Sequence, residues 1–243
     1  MANWSDPRPS AAPFGAAADT RSSAYDAGLR SYMLSVYNYM TSGILLTGIV
    51  AMLFAQSGAA QQILGGPLRI VIMLAPLAIV FAMSFGQSRF TQGTLQLLFW
   101  AFAVLMGLSL SSIFLVYTGT SIAGAFFATA GAFAGLSLYG YTTKKDLSAF
   151  GTFLVMGVVG LLVASVVNIF LQSSALAFGI SAIGVLIFAG LTAYDTQKIK
   201  SMYAYVAGTD MAGRTAIMGA LNLYLDFINM FLFVLRMFGS SRN

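Results

Sequence analysis

The chain contains no cysteine, no histidine and no glutamate, and only 8% of its 243 residues are charged. Without cysteine there is no disulfide, no thiolate nucleophile and no thiolate metal site. Without histidine the imidazole base, the usual zinc ligand and the usual pH switch are missing, so proton sensing near neutral pH falls to carboxylates. A soluble domain carries about 25% charged residues. With 58% hydrophobic residues and a mean hydropathy of +0.84, this chain could not cover a water-facing surface. It reads as an all-α polytopic membrane protein. No proline follows Pro76, so any later break in a helix falls to glycine.

The seven acids are all aspartate, against 12 Lys+Arg, for a net charge of +5. In a membrane protein such a balance reports orientation and contact with anionic lipid. No basic face with interleaved aromatics occurs, so no nucleic-acid partner is expected. Residues 1–29, rich in Ala, Ser and Pro, have no apolar core of a signal peptide and are expected to be a flexible cytoplasmic tail. Residues 30–243 form the second unit, a seven-helix transmembrane domain. Hydropathy places its spans at about 32–55, 70–85, 94–117, 121–141, 150–171, 175–197 and 215–238, each near the ~20 residues a crossing needs. With the N-terminus inside, Arg8, Arg21, Arg30, Arg89, Lys144, Lys145, Lys198, Lys200 and Arg214 are cytoplasmic, and Arg69, Arg236 and Arg242 are outside. That bias fixes the orientation. The terminal arginines fit it less well, because a last span that entered without crossing would put them inside too.

Small residues are dense, with Gly131 and Gly135 in a G-x-x-x-G within the fourth span. The expected use is close packing inside the bundle, with a dimer seam as the alternative.

Two aspartates lie within membrane-length apolar sequence, Asp195 near the end of the sixth span and Asp226 in the middle of the seventh. A charge near the bilayer centre costs at least ~2.5–3.5 kcal/mol, so each needs a partner or a water path. Asn222, Asp226 and Asn229 sit at i, i+4 and i+7 and share one helical face. A polar stripe on an apolar helix faces protein or water, which makes the last span the central one. Tyr194 beside Asp195 joins Asn222 and Asn229 as the supporting polar set. Two readings of Asp195 stand. It either snorkels to the interface to pair with Lys198 or Lys200, or it meets Asp226 and the two share one proton.

The segments Ala193-Tyr194-Asp195-Thr196-Gln197-Lys198-Ile199-Lys200 and Leu223-Tyr224-Leu225-Asp226-Phe227-Ile228-Asn229 resemble the Bax inhibitor-1 family (the transmembrane Bax-inhibitor-motif proteins), and their wording is closest to its bacterial branch. Tyr139-Gly140-Tyr141-Thr142-Thr143-Lys144-Lys145-Asp146-Leu147-Ser148 and Val167-Asn168-Ile169-Phe170-Leu171 are similar to it as well. The resemblance implies a seven-helix bundle with the last helix central, in the bacterial inner membrane. It implies a pH-sensitive passive calcium leak, acid-triggered, with Asp195 and Asp226 as the proton sensor and at most a weak, transient Ca²⁺ site. It also implies a basic latch from the end of span two, for which Arg89 stands at about the right place in a departing context, Phe85-Gly86-Gln87-Ser88-Arg89-Phe90. No enzyme activity and no cofactor is implied; the partners are the bilayer, Ca²⁺ and protons, and a membrane protein.

An intramembrane aspartyl protease would need Gly-x-Gly-Asp where this chain has Tyr224-Leu225-Asp226, and a later proline motif that is missing. The last span has no lysine for a retinal Schiff base, and no Walker lysine motif occurs. The serious rival is a non-conducting regulator that works by protein contact, since the family is associated with restraint of cell death and with modulation of a membrane protease.

Overall fold

The computed structural model describes residues 14–242, and among these there are nine helices and no strand. They are α1 (Phe14–Gln56), α2 (Ala59–Leu64), α3 (Leu68–Gly86), α4 (Gln92–Leu110), α5 (Ser112–Val116), α6 (Gly119–Thr142), α7 (Ser148–Leu171), α8 (Ser174–Val206) and α9 (Met211–Phe238). Seven segments are long and apolar enough to cross a membrane, α4 and α5 together making the third. The protein is therefore an all-α, multi-pass membrane protein.

Local chemistry sets the breaks. The Ser111 hydroxyl donates to the Leu108 carbonyl at 2.7 Å and the Ser112 hydroxyl to that of Ser109 at 3.3 Å, drawing carbonyls away from the ladder where α4 passes into α5. Thr91, Thr118 and Ser173 cap α4, α6 and α8 by accepting from Thr94, Ser121 and Leu176 backbone N–H groups. The turn into α8 needs Gln172 in a left-handed conformation (φ 49°), held by Asn168, whose Oδ1 accepts the Ser173 N–H at 3.1 Å.

Two helices overrun the expected spans. Helix α1 begins at Phe14, inside the stretch 1–29 expected as a tail; residues 1–13 of that stretch lie outside the described residues. Helix α8 continues nine residues past Gln197 to Val206. The α8 overrun packs on the first part of α1 at the cytoplasmic end, with Tyr25 and Tyr32 rings 5.2 and 5.3 Å from that of Tyr203.

Residues 240–242 pack back on the bundle. The Thr118 N–H donates to the Ser240 carbonyl, the Arg242 N–H to that of Val116, and Tyr117 bridges Ser241. The C-terminus thus sits against the α5–α6 junction, at the end of the bundle opposite the loop between α3 and α4. The last helix therefore runs the length of the bundle, and Arg236 and Arg242 lie at the end away from the α3–α4 loop.

Helix α9 is central. It packs along α8, α1, α6 and α4, and fourteen of its residues are buried. The other spans do not surround it evenly, since α3 packs mainly on α4 and α7 mainly on α8. Close approach comes through Gly140, where a Cβ would strike the Ala193 backbone of α8. Gly131 and Gly135 do not serve this way. Both are exposed with nothing within 4 Å of a built Cβ, so the G-x-x-x-G faces outward instead of into the bundle.

Candidate functional site

The α8–α9 interface is the most extensive in the bundle, and it brings the two intramembrane aspartates together. The side chains of Asp195 and Asp226 are in hydrogen-bonding contact. They arrive there unequally. Asp226 is 5% exposed, and its Oδ2 is buried with no hydrogen-bond donor to it. Asp195 is half-buried and lies within electrostatic range of Lys198, one turn further along α8.

Of the lysines offered as interfacial partners for Asp195, Lys200 is engaged elsewhere and Lys198 stays at longer range. Lys200 Nζ donates to the Tyr141 carbonyl at 2.7 Å and stands 4.7 Å from the Tyr141 ring centroid. Lys198 Nζ lies 5.8 Å from the Tyr194 ring centroid. Neither forms an ion pair with Asp195 among the described residues.

The supporting residues divide. Asn229 spends its amide on its own helix, Nδ2 donating to the Leu225 carbonyl at 2.8 Å. Asn222 is half-buried and makes no hydrogen bond among the described residues. Tyr194 does not join this face: one residue along a helix turns the direction by about 100°, and its ring lies on Gly151 of α7. Arg89 is exposed beyond the end of α3 and makes no ion pair with either carboxylate among the described residues. With α3 packed on α4, the expected latch of the second span onto the sixth and seventh is not formed in this conformation.

Two hydroxyl arrays brace the helices around the pair, and neither stood out in the sequence. The Thr196 Oγ1 donates to the Thr192 carbonyl at 2.7 Å. Its one proton is thereby used, so in the 3.0 Å contact with Ser137 the serine donates. The serine proton being used in turn, Tyr37 must donate in the 2.6 Å contact with Ser137. This directed chain ties α1 through α6 to α8, within one turn of Asp195. In the second array Thr47 Oγ1 donates to the Ala103 carbonyl at 2.8 Å, so the Tyr224 hydroxyl is the donor in its 2.6 Å contact with Thr47. That array joins α1, α4 and α9 two residues before Asp226. A Thr192/Thr196 pair at i, i+4 was the only hint in the sequence.

On the cytoplasmic side, Gln197 clasps the loop between α6 and α7. Its Oε1 accepts the Leu147 N–H at 2.9 Å and its Nε2 donates to the Lys145 carbonyl at 2.8 Å. Beside it, Asp146 accepts from Ser148, whose hydroxyl and backbone N–H hold the carboxylate below its usual range. On the outer side of the pair α9 is apolar and packed. The Phe227 ring lies 5.6 Å from those of both Phe126 and Phe133, and Met230, Phe231 and Leu235 are buried. Among the described residues no three of the Asp, Glu, His and Cys side chains cluster as a metal site.

Comparison with known proteins gives a consistent picture. The family model described as "Inhibitor of apoptosis-promoting Bax1" matches residues 29–243. The inner membrane protein YbhL of Escherichia coli K12 is 48% identical over 220 residues, which cover 89% of this chain and 94% of YbhL. The uncharacterized protein RP147 of Rickettsia prowazekii is 47% identical over 235 residues, 92% of this chain and 95% of that protein. The uncharacterized membrane protein SpyM3_0260 of Streptococcus pyogenes is 33% identical over 220 residues, 89% and 95% of the two chains.

Proposed function

Because the chain belongs to the Bax inhibitor-1 family of membrane proteins, we propose that it is a pH-sensitive passive cation leak, with calcium as its ion and Asp195 and Asp226 as its proton sensor. The observation that carries the reading is the contact between these two carboxyl groups inside the α8–α9 interface.

Two carboxylates hydrogen-bond only with a proton between them. We assign that proton to Asp226, because it is the more deeply buried of the two and a carboxylate there would lack hydrogen-bond donors. Asp195 then holds the charge, nearer to water and to Lys198. Singly protonated, the pair ties α8 to α9. Doubly ionised it repels, by about 4 kcal/mol for unit charges 4 Å apart at an effective dielectric constant of about 20. A bias of that size shifts a two-state equilibrium about a thousandfold. Protonation of the pair is therefore strong enough to move the closed state, and a second proton on Asp195 removes the charge that Lys198 faces. The pair with Asn222 supplies too few oxygens for the 6–8 that calcium prefers. Weak binding suits passage, since an ion must also leave.

Calcium flux into proteoliposomes, measured at acidic and at mildly alkaline pH, tests the reading. A pH-dependent flux that flattens in both Asp195→Asn and Asp226→Asn supports it. An unchanged pH profile in both variants refutes the sensor, and absence of flux at every pH favours the non-conducting regulator that acts through protein contact.

A further inference from the structure

Helices α1 and α6 both pack on α9 but touch each other little, and a groove of about 720 Å³ lies between them. Its floor is aromatic, Phe126, Phe133 and Phe227, and its rims carry exposed Leu34, Leu45 and Leu138, so it opens sideways toward hydrocarbon. From Arg30 to Leu45 the α1 wall advances 15 residues, about 22 Å, more than the ~15 Å half-thickness of the hydrocarbon core. The volume falls within the ~300–1,000 Å³ of sites that enclose a small molecule. An apolar furrow of this length along a bilayer matches the shape of an acyl chain.

The two ends differ in charge. At the cytoplasmic mouth the groove is lined by Arg30, which is exposed, and by Tyr141. Tyr141 also lines an adjoining cavity of about 480 Å³ that holds Lys200, and Lys200 Nζ is fixed on the Tyr141 carbonyl. Against these two cations stands one acid, Asp26. The groove's interior carries no charged side chain beyond Arg30. The hydroxyls of Tyr37 and Ser137 cross it already bonded to each other, with their protons committed inward, so the wall offers no free donor to a second headgroup deep inside.

We propose that this groove is a site for one anionic glycerophospholipid of the cytoplasmic leaflet, with an acyl chain along α1 and α6 and the phosphate held by Arg30 and Lys200. Basic mouths between transmembrane helices on the cytoplasmic side recognise such headgroups, each cation contributing about fivefold in affinity. A second copy of the chain or the chain's own N-terminal segment would fill an apolar groove but would not need the cations at its mouth. The site stands independently of the calcium reading.

Native mass spectrometry of the full chain, offered equimolar phosphatidylglycerol and phosphatidylcholine, tests this. The expected result is one phosphatidylglycerol retained about 25-fold over phosphatidylcholine, about fivefold for each of the two cations. The preference should fall about fivefold in each of Arg30→Gln and Lys200→Gln, and retention of both lipids should drop in Ala134→Trp, which fills the groove. Should that bulky change unfold the protein, Ala134→Leu is the milder substitute, judged by an unchanged melting temperature. Equal retention of the two lipids, a preference untouched by both charge variants, or dimer in place of bound lipid each overturns the proposal.

Discussion

Replacing Thr47 by valine should cost more than replacing Tyr224 by phenylalanine, and the double variant should cost less than the sum. The two residues touch at 2.6 Å across α1 and α9, and both are fully or almost fully buried. Proton counting makes Tyr224 the donor, since the Thr47 proton goes to Ala103. Thr47→Val keeps the shape but leaves the Tyr224 O–H buried with no acceptor, a penalty of about 1–3 kcal/mol. Tyr224→Phe removes the donor itself and strands nothing, because Thr47 still donates to Ala103; its cost is about 1 kcal/mol. In the double variant the stranded proton is gone, so the total should be about 1–2 kcal/mol, with a coupling of about 1 kcal/mol. Reversible unfolding of the detergent-solubilised protein in rising dodecyl sulfate measures all three. Additive losses, or a Thr47→Val variant as stable as the parent, would refute the assignment of donor and acceptor.

Gly140→Ala should destabilise by about 1–3 kcal/mol through its clash with the Ala193 backbone, whereas Gly131→Ala and Gly135→Ala, meeting open space, should each stabilise by up to about 1 kcal/mol; the same unfolding assay separates them, and a destabilised Gly131→Ala would mean that this face is packed after all. Asp146, held below its usual range by Ser148, stabilises the fold above its unfolded pKa, and that contribution disappears as pH falls through the lower folded value. The melting temperatures of the wild type and Asp146→Asn should therefore differ at neutral pH and converge in acid; a gap that widens in acid reverses the sign. Gln197→Ala removes both bonds that hold the loop between α6 and α7, so trypsin should cut at Lys144 and Lys145 faster than in the parent, and equal rates would mean that the clasp does not restrain the loop.

Hydropathy located all seven crossings within a few residues, because lipid demands a long apolar run wherever a helix is immersed. It missed the extensions of α1 and α8 for the same reason. Polar residues such as Lys198 and Lys200 end the membrane segment without ending the helix. The meeting of Asp195 and Asp226 was legible as one of two readings, since an acid in hydrocarbon has few ways to exist. Which way a neighbour points was not. Tyr194 adjoins Asp195 in sequence yet faces α7, and Gly131 and Gly135 carry a motif that serves bundle packing and outward faces alike. The Tyr37–Ser137–Thr196 chain was hidden because Ser and Thr are frequent in apolar helices, and only the fold brings residues 59 and 100 positions apart into register.

The shared proton is read most directly by infrared difference spectroscopy of the reconstituted protein across the neutral pH range. The account predicts a protonated-carboxyl C=O band at neutral pH that is sensitive to heavy water, vanishes in Asp226→Asn and moves in Asp195→Asn as its hydrogen-bond partner changes. A wild-type protein without that band at neutral pH, or a band that both substitutions leave in place, would contradict it.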